Sequence, residues 1–248
     1  MTDVLPTWSV TDVHESFTAR SFVDALEQAG TDVSRLEALF DQHDVRDTAP
    51  RTPTADDAAA AAAVIDAYNR TSRQIEHLSA YVYSTYSTDT RDESASALMS
   101  QLEADDARVR PLLARLAAWV AALGPEALAE LDTTVADHVG PLQRLAARAE
   151  HQMSEAEEGL YAELGPTGPS AWSRLQREVT SQLTTEVALP SGATTLAITA
   201  VRGLATDPDP AVRRAAYDAE LEAWPRVATP CAAALNAIKG DANVVNRR

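Results

Sequence analysis

The chain has 248 residues, enough for one large domain or two small ones, and 45% of them are hydrophobic, a globular rather than a disordered composition. Its 37 acidic residues outnumber 21 basic ones, giving a formal net charge of -16. Such a surface repels phosphate backbones and anionic lipid, which disfavours nucleic-acid and membrane-surface roles. Cys231 is the only cysteine, which excludes an intramolecular disulfide and fits a reducing compartment. Residues 1–10 carry neither a basic n-region nor an apolar h-region. The apolar run 58–65 is far too short for a membrane span. A soluble, cytoplasmic protein is the expectation.

In chain order, Trp8 sits in a short extended lead-in. Phe17, Val23, Leu26, Val33, Leu36, Leu39 and Phe40 then recur at helical spacing. Gly30 interrupts this stripe, which fits one long helix with a weak point or two shorter ones. Arg51-Thr52-Pro53 reads as a loop. Thr54 is an N-cap, with Asp56 and Asp57 favourably placed at the positive end of a helix dipole. That helix should run from about Ala55 to Tyr86, with Val64, Tyr68, Ile75, Leu78 and Val82 on its apolar stripe. Its alanines at 58–63 allow close packing.

A third helix is expected to begin near Asp92, with Leu98, Leu102, Val109, Leu112, Leu116, Trp119 and Leu123 on one face. Pro111 lies inside it. An interior proline costs about 3 kcal/mol, so a kink or break is expected there. Gly124-Pro125 closes the segment and opens a short helix, and Gly140-Pro141 opens another. Ser154 and Glu157 have the spacing of a capping box. Gly165-Pro166 and Gly168-Pro169 form a breaker cluster before a short helix around Trp172 and Leu175.

Residues 183–189 alternate and are partly β-branched, Pro190-Ser191-Gly192 is a turn, and Thr194-Thr195-Leu196 can return as a second strand. Asp209 caps a helix opening at Pro210 and carrying Val212, Ala216, Tyr217 and Leu221. Thr229-Pro230 repeats that start signal for a last helix bearing Cys231, Leu235, Ile238, Ala242 and Val245 on one face. The expected fold is therefore mainly α: a multi-helix bundle of long antiparallel helices with one small β-hairpin near 183–196. Its expected division is an amino-terminal helical region, 1–125, and a second helical region with the hairpin, 126–248.

Little in the chain points to chemistry of its own. Two histidines at i and i+4 on a helix, with a glutamate after the first, would let both imidazoles reach one zinc ion. His14-Glu15 begins that pattern, but Thr18 stands where the second ligand belongs. His43, His77, His138 and His151 are not followed by glutamate and have no histidine four residues away. Asp105-Asp106 and Glu157-Glu158 are adjacent pairs that point about 100° apart on a helix, so they form no clasp. Ser154 and Ser181 have cap and turn roles, and Cys231 reads as an inert thiol on an apolar face. Tyr83 and Tyr86 can share a helix face, whereas Tyr81 and Tyr83 cannot. Arg213-Arg214 reads as pairing with Asp209, Asp218 or Glu220. No catalytic, cofactor-binding or metal-binding residue is expected in this chain.

Four segments, in order, carry a resemblance. They are Met-Ser-Glu-Ala-Glu-Glu (153–158), Ala-Trp-Ser-Arg-Leu (171–175), Val-Arg-Arg-Ala-Ala-Tyr (212–217) and Ala-Leu-Asn-Ala-Ile-Lys-Gly (234–240). Weaker similarity extends to the Trp8 region. This order resembles the amino-terminal region of the oligoendopeptidase F branch of the thimet-type zinc metallopeptidases. The resemblance implies a mostly helical protein of two lobes around a narrow channel that admits short peptides. It also implies that the zinc ligands and catalytic residues lie downstream of the matching stretch, so none is carried onto this chain. Trp172 and Tyr217 are expected as buried anchors and Asn236 as a buried polar contact. The chain alone is then an inactive channel wall of a zinc enzyme, with apolar surface prone to self-association. A stand-alone acidic helical interaction or scaffold module is the alternative.

Overall fold

A computed structural model describes residues 9–247, so the lead-in around Trp8 lies outside the described residues. The chain divides into two compact units, residues 1–163 and 164–248. Contacts thus place the division well after the 125/126 boundary expected from sequence. The reason is that the short helices following Gly124 pack onto the long ones before it.

In the first unit the elements are α1 (Arg20–Gln42), α2 (Ala55–Tyr86), α3 (Glu93–Leu123), α4 (Pro125–Ala129), α5 (Thr133–Asp137), α6 (Val139–Ala149) and α7 (Glu155–Leu164), the last ending at the boundary. The long helices α1, α2 and α3 pack on one another, α6 lies on α3, and α4 and α5 lean on α2. Phe22, Leu36, Phe40, Leu78, Leu102 and Leu128 are fully buried in one continuous core. Each such side chain contributes about 1.5–3 kcal/mol on leaving water, which is why this unit can order three long helices.

Helix α2 starts where its sequence says it should. Thr54 accepts from the Asp57 N–H, and the Asp57 carboxylate accepts from the Thr54 N–H at 2.7 Å, a reciprocal capping box. Arg51 adds a two-pronged contact to the same carboxylate at 2.7 and 2.8 Å. Asp92 caps α3 by accepting from Ala95 N–H at 2.9 Å. Of the outcomes open at Gly30 the single long helix holds, and at Pro111 the helix does not break. Helix α1 runs unbroken through Gly30, because Ala29 and Val33 on either side are buried and hold the turn. Helix α3 continues through Pro111, where burial of Val109, Leu112 and Leu116 outweighs the lost backbone hydrogen bond. Helix α6 begins at Val139, with Gly140 and Pro141 in its first turn.

In the second unit, α8 (Pro169–Ser181) leads into the antiparallel hairpin β1 (Thr184–Leu189) and β2 (Gly192–Ala197). Then come α9 (Ile198–Gly203), a 3₁₀ turn at Leu204–Thr206, α10 (Pro210–Ala223), a second 3₁₀ turn at Trp224–Val227, and α11 (Ala228–Val245). The register pairs Thr185 with Leu196 and Leu189 with Gly192, and Gly192 takes φ +121°, a region L side chains rarely adopt. Leu183, Thr185 and Val187 point to the buried face, where α10 covers β1. An isolated hairpin is marginal, and α10 supplies the support it needs. Asp209 caps α10 through Ala211 N–H at 2.8 Å, with Pro210 at the first position. The last helix starts at Ala228, so Thr229-Pro230 falls inside its first turn and caps nothing.

The buried face of α10 is Ala216, Ala219 and Ala223. Tyr217 and Leu221, expected inward, are each 55% exposed. Trp172 is 37% exposed and Asn236 is also at the surface, so none of the three residues read as buried anchors or contacts is one. The alanine stripe lets α10 approach the hairpin closely, and that choice turns its large side chains outward.

Candidate functional site

The five histidines are brought into no common site. His14 and His77 approach, with ring centroids 6.3 Å apart, inside an aromatic group that includes Phe22 and Tyr81. His14 Nδ1 meets Ser21 Oγ at 3.1 Å, and its backbone carbonyl accepts from Tyr81 Oη–H at 2.9 Å. His43 is the C-cap of α1, and His151 is exposed beyond α6. Among the described residues, no three His, Cys, Asp or Glu side chains are grouped so as to hold a metal ion. The described residues therefore offer no grouped donor set for a zinc ion.

Acidic pairs behave as the helix geometry requires. Asp105 faces Arg108 at 3.8 Å while burial pushes its carboxyl upward, and Asp106 turns to Arg110 at 2.6 Å. Glu157 closes the capping box with Ser154 at the start of α7, its carboxylate accepting from Ser154 N–H at 3.2 Å. Tyr81 is buried and Tyr83 exposed, while Tyr83 and Tyr86 share a face with ring centroids 6.5 Å apart. Arg214 pairs with Asp218 at 2.9 Å. Arg213 instead donates to the Asp207 and Pro208 carbonyls at 2.6 and 3.0 Å, fixing the turn that precedes α10. Cys231 is half-buried beside Leu221 and Trp224, in an apolar groove of about 480 Å³.

Two clefts open on the first unit. One, of about 540 Å³, is floored by Ala114, Ala118, Ala121 and Ala122 of α3 and closed by Met153 and Glu155. Arg115 braces it: its Nε–H donates to the Val45 carbonyl at 2.9 Å, Nη1 meets Asp41 at 2.9 Å, and the guanidinium lies 5.5 Å from the Phe40 ring centre. Its side chain is only 12% exposed, and the buried Nη2 has no partner among the described residues. The other cleft, of about 710 Å³, runs along α2. It is lined by Asp66, Asn69, Arg70, Arg73, Gln74 and His77, with His138 from the end of α5. The sequence reading missed Arg70 and Arg73. Their signal is the 66, 70, 73, 77 spacing, which sets one polar stripe along a helix.

The class these elements define is a mainly helical protein with one antiparallel hairpin and no metal cluster among its described residues. Residues 120–184 match the amino-terminal family model described as Oligopeptidase F. The fold is similar to the crystal structure of oligoendopeptidase-F from Enterococcus faecium, with a TM-score of 0.74 at 15% identity. That similarity covers 92% of this chain and 44% of the other, so this chain spans less than half of that protein's length. No curated protein matches. The chain resembles the amino-terminal region of oligopeptidase F.

Proposed function

We propose that this chain is the amino-terminal, channel-wall part of a zinc-dependent oligopeptidase that cuts short peptides, and that it is catalytically inactive by itself. One observation carries the reading: the family model at 120–184 falls inside a fold similarity that spans 92% of this chain but 44% of an oligoendopeptidase F. Two further features support it. The sequence has no H-E-x-x-H pair, and no metal-holding cluster occurs among the described residues. In the second unit, Trp172, Tyr217, Leu221, Leu235 and Val244 are exposed, as expected of faces that pack against further polypeptide.

In this reading the chain's own residues hold a wall rather than move protons. The capped helix α2 and the core beneath it give that wall rigidity, and zinc chemistry belongs to polypeptide other than these 248 residues. No helix among the described residues is long and apolar enough to cross a membrane. A reducing cytoplasmic location agrees with the single cysteine. The test is a quenched short peptide incubated with the purified chain and added zinc. No turnover is expected, and chelator-sensitive cleavage that copurifies with the chain would refute the assignment.

A further inference from the structure

We infer that the cleft on α2 is a binding site for a small oxyanion, a carboxylate or phosphate group, held by Arg70 and Arg73. The site is independent of the peptidase reading. Four other arginines of the first unit, Arg20, Arg51, Arg108 and Arg115, each meet a carboxylate within 2.9 Å, while Arg144 and Arg148 on α6 pair with none among the described residues and line no shared cleft with a second arginine. Arg70 and Arg73 have neither an ion pair nor a hydrogen bond among the described residues, in a chain with 37 acidic side chains to choose from. Asp66 precedes Arg70 by one helical turn, the spacing that favours a pair, yet it makes none.

Two guanidinium groups three residues apart on a helix start from Cβ atoms about 5–6 Å from each other and repel. A bound oxyanion would relieve that repulsion and accept from both planar forks. The net charge of -16 opposes anions at long range. At physiological salt that field is screened beyond about 8 Å, so the two local cations decide.

The frame around them is already fixed. Gln74 Nε2–H donates to the Ala25 carbonyl of α1 at 2.8 Å. His138 Nδ1 lies 2.8 Å from the Thr134 carbonyl, which can only accept, so Nδ1 carries the proton. Its Nε2 then accepts from the Asn69 amide at 3.2 Å. Both nitrogens of His138 are thereby used, and the guanidinium groups are the cleft's free charged donors. Walls held in place before binding leave less ordering cost for the ligand. The volume of about 710 Å³ suits a small molecule or the end of a peptide rather than a single atom.

The test is calorimetric titration of the full chain at constant ionic strength with three probes. These are inorganic phosphate, an acetylated tripeptide with a free carboxyl terminus, and the same peptide amidated. Saturable binding of phosphate or of the free-acid peptide is expected, with sodium chloride giving none. A response to phosphate alone names free phosphate as the source, and a response to the free-acid but not the amidated peptide names a carboxylate. Arg70→Gln and Arg73→Gln should each weaken that binding about tenfold, the loss of one charge-assisted contact. Arg177→Gln, an exposed change on α8, should leave it unaltered. Circular dichroism checks that each variant is folded. Absence of saturable binding by phosphate and by the free-acid peptide, or binding that both cleft variants leave intact, overturns the site.

Discussion

The two units solve the burial problem differently. The first packs Phe22, Leu36, Phe40, Leu78 and Leu102 into one continuous core and caps its longest helix on both Thr54 and Asp57. The second has two small clusters, Val187 with Val201, Ala216 and Ala219, and Leu183 with Ile198 and Ala223. It turns Tyr217, Leu221 and Leu235 to the surface. The first unit also exposes Val13, Tyr83, Leu131 and Leu160, but around a far larger core. The second unit buries smaller clusters and leaves Tyr217, Leu221, Leu235 and Val244 each more than half exposed.

The sharpest way to break this comparison is to truncate one large side chain in each unit. Phe40→Ala removes a fully buried ring that also underlies Arg115, and should cost about 3–5 kcal/mol in denaturant unfolding. Leu221→Ser should cost far less, about 0.5 kcal/mol, because that side chain is already more than half exposed. A cost at Leu221 comparable with that at Phe40 would mean that the second unit's exposed face is a core.

Capping comes next in size. Asp57→Ala removes the capping box and the Arg51 contact, and should cost about 1–2 kcal/mol at neutral pH. The effect has a definite pH dependence. The Arg51 guanidinium and the Thr54 N–H and hydroxyl hold the Asp57 carboxyl well below the usual carboxylate range. A depressed folded value adds stability that is complete above the unfolded value, about 3.9, and is lost as pH falls towards the folded one. The gap between wild type and Asp57→Ala should therefore be widest near neutrality and shrink below about pH 4, as acid titrations followed by circular dichroism would reveal. A gap that widens in acid would reverse the assignment.

The smallest effect on stability should accompany the largest effect on association. Leu221→Ser combined with Leu235→Ser should leave the unfolding midpoint nearly unchanged while reducing any concentration-dependent self-association in size-exclusion chromatography. A wild-type chain that stays monodisperse at high concentration, with these changes inert, would favour the stand-alone scaffold module over the channel wall.

Helix ends and the hairpin were legible because they depend on local chemistry. Thr54, Ser154 and Asp209 cap where their side chains predict, α3 begins beside the expected Asp92, Thr229 caps nothing, and the Pro190-Ser191 turn joins the two strands read from alternation. Sequence left one helix or two open at Gly30 and allowed a break at Pro111; burial on both sides, which only the tertiary structure supplies, keeps both helices continuous. The inward face of α10 was misread for a related reason. Hydrophobic size favours Tyr217 and Leu221, but a close helix–hairpin approach selects Ala216, Ala219 and Ala223. The lack of a paired-histidine zinc motif was plain from spacing alone. The Arg70–Arg73 cleft was not, because sequence gives the stripe but not the absence of a carboxylate from neighbouring helices.

Metal content tests the central claim most directly. The purified 248-residue chain, loaded with zinc, dialysed and assayed by atomic absorption, should retain far less than one ion per chain, because no donor set gathers among its described residues. Retention of one zinc per chain that survives dialysis would contradict the account, because it would put the metal centre inside the wall itself.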